Sequence, residues 1–477
     1  MCFSAGIWTR ILVVTVCLPV AAAGQQRDVS GQSVQPAAPI SSVNPAQVPE
    51  ETPAPPSPAD PRSFLGAEEF TPGHVGRMRS YFLPSFQFLE MADSNFRVGP
   101  GSQRFETINT LVGRLAFGKL GKHSRLTADY MGGGHIYNHH SELNTTMHEF
   151  GITQSYEGRR WSFLLHDRAS YLPEASFGYG GFGWTGGLGL DLGGALGSNV
   201  TSLNPHFSPT GSVLAGRGSR IVNTVATQIQ YLAGPHSAIT LAGSYGLLHF
   251  REPGFTDSRN SFFLAGYNRS LTARDSFGIN YGLGLFQFQN SVPAFQTHLL
   301  QLSYGHRISG RMAMALTGGP QVAVFKSPTA GSTTPVSWSA STSLDYRVRR
   351  GDVALSYTRY TSNGGGVLTG ATTDIVRLAW GLRLTRDWSG SLGPGYSHNR
   401  SLPQTTSGNI ENTFDTVYAG ASLSRRLGPY MTMFFTYNFQ TQRSENIPCL
   451  TGDCATSLLR HLIGFGFNWH PREIMID

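Results

Sequence analysis

The sequence predicts an all-β fold: a single antiparallel, up-and-down barrel that crosses a membrane with about eighteen strands. The first of three observations behind this is the stretch Ser276–Phe288 (SFGINYGLGLFQF), in which Phe277, Ile279, Tyr281, Leu283 and Leu285 share one parity. Ser276, Gly278, Asn280, Gly282 and Gly284 share the other. A period of two puts the sets on opposite faces of an extended strand. One face is apolar and the other small and polar, which suits a wall between lipid and a lumen. The second observation is composition. Charged residues make up only 14% of the 477, against roughly 25% in an ordinary soluble protein, while glycine reaches 57 residues and aromatics 11%. Mean hydropathy is −0.17, which does not describe a bundle of apolar helices. The third is rhythm: alternating segments recur from about Ser80 to Trp469, joined by connections that are short and long in turn.

Taken in order, residues 1–23 have the form of a secretory signal peptide. Arg10 supplies the positive start, ILVVTVCLPV the apolar core and Ala21-Ala22-Ala23 a small-residue cleavage site. The core falls short of the ~20 apolar residues that a spanning helix needs. Residues 24–75 are rich in Pro, Ala, Ser and Gln and lack periodicity, so they read as a disordered periplasmic segment.

Residues 76–477 are assigned to the barrel. Its clearest strands are Leu111 to Phe117, Val225 to Tyr231, Ile239 to Leu247, Leu300 to Ile308, Met312 to Val324, Val376 to Leu384, Met431 to Phe439 and Ile463 to Trp469. Weaker segments surround Phe86, Tyr130, Ile152, Phe163, Tyr267, Leu344, Leu355, Leu392 and Val417, and with Ser276–Phe288 they bring the count to 18, with 16 as the alternative. Short turns such as Ala233-Gly234-Pro235-His236 and Arg349-Arg350-Gly351 belong on the periplasmic side, and the longer loops outside. The last strand, His461 to Trp469, resembles the aromatic C-terminal strand of bacterial outer-membrane proteins, although eight residues (HPREIMID) follow it. The resemblance spans roughly residues 80–470 and is one of porin-like architecture. It implies a Gram-negative-type outer membrane, surrounding lipid and delivery by the barrel-assembly machinery.

Three features bear on chemistry. The longest connection, Leu172 to Arg217, holds ten glycines between Gly178 and Gly197, interleaved with Tyr179, Phe182, Trp184 and leucines. It is expected to fold into the barrel or over its mouth. Four histidines (His135, His139, His140, His148) gather near Ser141-Glu142, but adjacent residues on one loop seldom form a nucleophilic triad, and no metal-ligand spacing is met. A solvated polar loop is expected there, and another at Ser397-His398-Asn399. Cys449 and Cys454 are the two cysteines left after signal removal, and in an exported chain they favour a disulfide.

Inward parity collects Arg114, Arg125, Arg168, Arg307, Arg311, Arg347, Arg377 and Arg383, against Asp129, Glu149 and Asp345. Such a lumen favours anions. The pore-lining candidates are Arg377, Arg383, Arg307, Asn280 and Gln301. The net charge of +7 forms no basic block, which argues against nucleic-acid binding. The function expected is a passive channel for small hydrophilic solutes, anionic ones among them, with neither cofactor nor catalytic residue. The alternative is a closed barrel serving as a surface scaffold, interaction protein or polysaccharide-export component, its interior filled by the glycine-rich loop and by inward aromatics such as Phe262 and Phe434.

Overall fold

The computed structural model describes residues 80–95, 105–172, 219–289, 293–327, 331–402, 412–445, 457–472 and 474–476. The expected signal peptide, the Pro-rich segment, the glycine-rich stretch after Leu172 and the Cys449–Cys454 pair lie outside the described residues. Alternation becomes pairing strand by strand, each with its neighbour in sequence. The strands are β1 (Tyr81–Asp93), β2 (Glu106–Leu120), β3 (Ser124–Tyr137), β4 (Thr145–Glu157), β5 (Trp161–Leu172), β6 (Arg220–Gly234), β7 (Ser237–Phe250), β8 (Ser258–Ser270), β9 (Asp275–Phe288), β10 (Phe295–Ser309) and β11 (Met312–Ser327). After a three-residue piece, β12 (Gly331–Thr333), come β13 (Val336–Val348), β14 (Gly351–Ser362), β15 (Ala371–Arg383), β16 (Trp388–Ser401), β17 (Thr413–Arg426), β18 (Met431–Glu445), β19 (Ser457–Trp469) and the two-residue β20 (Ile474–Met475).

Eighteen long antiparallel strands therefore correspond one to one with the eighteen segments read from the sequence. The ring closes where β1 pairs with β19, from Phe86 opposite Trp469 to Asp93 opposite Leu462. Closure leaves no sheet edge, as a wall in lipid requires. The residues beyond Trp469 return to the same seam. Tyr81 and Phe82, below the last β19 pair, are matched by Met475 and Ile474 of β20. Both ends of the barrel sequence thus meet at the end that carries the short turns.

β9 confirms the parity. Phe277, Ile279 and Tyr281 are exposed outward, while Ser276, Gly278, Asn280 and Gly282 are buried inward. On six of the nine long strands that descend from the long-loop end, the outer face repeats a fixed interval. Asn109 and Phe117, His148 and Tyr156, Asn223 and Tyr231, Arg259 and Tyr267, Trp338 and Tyr346, and His461 and Trp469 each stand eight residues apart. Eight residues span about 27 Å along a strand, or about 21 Å of membrane at a tilt of about 40°. Mostly polar residues thus mark the upper edge of the apolar band and aromatics the lower. A closed even-numbered barrel with this band is an outer-membrane β-barrel, its short turns periplasmic and its long loops extracellular.

Two sequence expectations are corrected here. Ser397-His398-Asn399 is not a loop but part of β16, paired with β15 and β17. Gly393-Pro394-Gly395 interrupts the side-chain alternation ahead of it and hides the upper part of the strand. Arg311 lies in the two-residue turn between β10 and β11, exposed, and so is not on the inner wall.

Candidate functional site

Among the described residues, the connection between β14 and β15 turns into the lumen and narrows it. β14 pairs with β13 only as far as Arg359 opposite Ala340. Its pairing with β15 continues to Ser362 opposite Ala371. The tip of this hairpin therefore leaves the wall, and every residue from Tyr360 to Gly366 is buried. An extracellular connection ordinarily faces water. This one lies inside because its partners are inward-facing side chains on other strands.

Gly364, Gly365, Gly366 and Gly370 have φ of +78°, +66°, +86° and +94°, a region that side chains with a Cβ rarely adopt. The turn is held locally by Leu368 N–H to Gly364 carbonyl at 3.1 Å and Gly365 N–H to Asn363 Oδ1 at 3.2 Å. It then reaches the wall five strands away. Asn363 Nδ2 donates to Ser258 Oγ at 2.8 Å, and Thr256 N–H donates to the Gly366 carbonyl at 2.8 Å. Between Ser258 on β8 and the loop stand β9, β10, β11 and β13, so the contact crosses the lumen. A Cβ at Gly366 would collide with the Phe250 ring, and one at Gly370 with Phe295. Leu368 packs with Ala371 and Phe414. Beside it, Phe295 stacks on Phe286 at 4.5 Å and meets Phe325 at 5.0 Å, with Leu402 completing the cluster.

Below the loop the inner wall has three chemistries. From β6 to β10 it carries no charge between Val222 and Gly305. A belt runs along the pairing direction there: Gln230 opposite Thr240, Thr240 opposite Gly266, Gly266 opposite Asn280, Asn280 opposite Gln301. Gly319 on β11 has no side chain, so Gln301 Nε2 reaches over it to Ser339 Oγ on β13 at 2.9 Å. Asn280 Nδ2 donates to Ser303 Oγ at 3.4 Å. Both pore-lining candidates thus face inward and are buried.

On β2 to β5 the charges compensate. Arg168 pairs with Glu149, and Arg114 and Arg168 both lie within electrostatic reach of Asp129. At the seam, Arg460 Nε donates to both Asp93 oxygens at 3.0 Å. On β16 and β17 the periplasmic half is a hydroxyl wall open to water: Ser389 Oγ lies 2.7 Å from Ser424 Oγ, and Ser391 Oγ 2.7 Å from Ser422 Oγ, while β13 and β14 bring Asp345, Arg347 and Asp352 to the same level. Arg377 stands half-buried above it, opposite Gly395, over which the Tyr418 ring lies. Arg383 and Arg307 are on the inward parity but at the last ring before the periplasmic turns.

The histidine group disperses. His135 is buried on the inner wall with Nδ1 at 3.0 Å from Thr110 Oγ1. His139 and His140 place Nδ1 at 3.3 and 2.5 Å from Glu106, pinning the β3–β4 loop to β2. His148 faces outward, its Nδ1 2.9 Å from Tyr130 Oη. The expected solvated loop therefore holds only two of the four, and those two are anchored. Among the described residues no three or more His, Cys, Asp or Glu gather as a metal site.

No protein-family model matches the chain, and no curated protein does either. Among solved structures the chain is similar to Pseudomonas aeruginosa OpdQ, with 11% identity over 82% of this chain and 98% of that one and a TM-score of 0.43. It is similar to P. aeruginosa OprD at 9% identity, 85% and 98% coverage and a TM-score of 0.41, and to Acinetobacter baumannii OccAB4 at 8%, 84% and 99%, and 0.43. At these values the likeness carries no argument about what this barrel does.

Proposed function

We propose that the protein is a passive outer-membrane channel for small hydrophilic solutes, constricted on its extracellular side by the β14–β15 loop. The observation that carries this reading is the bond from Asn363 to Ser258 across the lumen. A loop held by a few hydrogen bonds above a water-accessible serine wall narrows a passage without filling its length. Passage down a gradient needs no cofactor and no catalytic group. Selection among solutes falls to the loop, the neutral belt and the arginines. Inward-facing Arg377 and Arg383 support a modest preference for anions.

The second reading, a closed scaffold barrel, is favoured by Phe262 and Phe434, each only 1% exposed on the inward parity. Planar-bilayer recording of purified, folded protein separates the two. Stable conductance steps support the channel. A folded barrel that inserts and stays silent supports the scaffold.

A further inference from the structure

The outer face carries a recurring device that the channel does not use. On five ascending strands a tyrosine faces the lipid and sends its hydroxyl diagonally to the neighbouring descending strand. Tyr130 meets His148, Tyr281 meets His298 and Tyr437 meets His461, at 2.9, 2.8 and 3.0 Å. Tyr357 and Tyr396 make the same diagonal to Asp374 and Asp415, at 2.7 and 2.5 Å. These pairs ring the barrel at the extracellular edge of the apolar band.

At Tyr130–His148 the ring opens into a groove of about 500 Å³ between β3 and β6. Ala169 forms its floor, because it sits opposite the far larger Phe150. Tyr171, opposite both His148 and Ile221, forms the next wall. The lining is overwhelmingly apolar, and its extracellular end is closed by Arg251, whose Nη1 lies 3.4 Å from Tyr171 Oη. The nearby acids are engaged elsewhere. Glu149 turns inward to Arg168, Asp167 accepts from Asn223 at 2.9 Å, and Glu252 accepts from Ser219 at 2.7 Å.

We infer that this groove binds a lipid of the extracellular leaflet through an acyl chain laid over Ala169 and a headgroup phosphate held by Arg251 and His148. An apolar trough on the lipid-facing side suits a chain, and water-soluble anions would have no use for it. A guanidinium at the headgroup level offers paired donors to phosphate oxygens. The His148 ring, oriented through Nδ1 by Tyr130, presents Nε2 as a second contact.

The test is native mass spectrometry of the full folded barrel released from detergent. It is incubated with phosphatidic acid or with phosphatidylcholine of the same chains. The wild type should retain phosphatidic acid preferentially. Arg251→Gln should reduce that preference about fivefold, the equivalent of about 1 kcal/mol for one cation at a membrane surface, and leave phosphatidylcholine retention unchanged. Ala169→Phe should reduce retention of both lipids. Arg251 lies outside the strand ladder, so its variant decides the matter even where Ala169→Phe fails to assemble. Unchanged preference in Arg251→Gln would overturn the inference. So would displacement of phosphatidic acid by inorganic phosphate, which would show an anion site with no lipid component.

Discussion

Asn363 and Ser258 are 105 residues apart in sequence and 2.8 Å apart across the lumen, joined by a single amide-to-hydroxyl hydrogen bond. The loop that carries Asn363 leaves the wall where β14 loses its β13 partner, and glycines alone allow its backbone path. Besides this bond, the loop is held by Thr256 N–H to the Gly366 carbonyl and by Leu368 packed with Ala371 and Phe414. None of these is a rung of the strand ladder, so disturbing the loop should leave the ladder folded.

Gly365→Val tests that expectation. A β-branched residue at positive φ costs about 1–3 kcal/mol, which should release the loop and raise single-channel conductance while heat-modifiable gel mobility stays unchanged. Unchanged conductance in a folded variant would place the constriction elsewhere.

The parity of the wall is tested by a pair of arginines. Leu302 is 52% exposed on the lipid face, and an arginine near the bilayer midplane costs about 2–4 kcal/mol. Leu302→Arg should therefore impair assembly in outer-membrane fractions. Ser391→Arg, on the water-accessible inner wall, should assemble normally and reduce conductance. Equal assembly of both would contradict the assigned faces.

The Arg168–Glu149 pair is buried on the inner wall. Removing one member of a buried pair costs about 3–5 kcal/mol, because the other charge is left uncompensated. Arg168→Met should lower the urea midpoint followed by tryptophan fluorescence, and Arg168→Met with Glu149→Gln should recover part of it. A double variant no more stable than the single would show that the two do not act as a pair.

Charge selectivity rests on Arg377 and Arg383. Under a salt gradient the reversal potential should show a modest anion preference that weakens in the Arg377→Gln, Arg383→Gln double variant. It should also fade at high salt, as the Debye length falls from about 10 Å at 0.1 M to about 3 Å at 1 M. Cation preference in the wild type would contradict the assignment.

The wall was legible in the sequence because a strand with lipid on one side must alternate, and Ser276–Phe288 does so without a break. Even β16, with Gly393-Pro394-Gly395 at its centre, showed itself through Leu392 and its spacing, although its upper part did not. The constriction was not legible. Residues 362–370 (SNGGGVLTG) look like an ordinary surface turn; the inserted loop expected in the glycine-rich stretch after Leu172 lies outside the described residues. The available signal was Val367-Leu368, an apolar pair straight after three glycines, which an exposed turn has no reason to carry. Charge balance was hidden as well, since parity alone cannot show that Arg168 meets Glu149. Gly282 lies on the lumen-facing parity, yet a Cβ there would press on Leu299 and Phe262. Close packing across strands is a three-dimensional fact that alternation does not encode.

The most direct test of the channel is single-channel recording of the wild type beside a variant in which residues 363–370 are replaced by Asn-Gly. The two-residue turn can join β14 to β15 while removing the bridge to Ser258. Small, stable steps in the wild type and markedly larger ones in the variant are the predicted result. Silence from both folded barrels would contradict the channel and leave the closed scaffold.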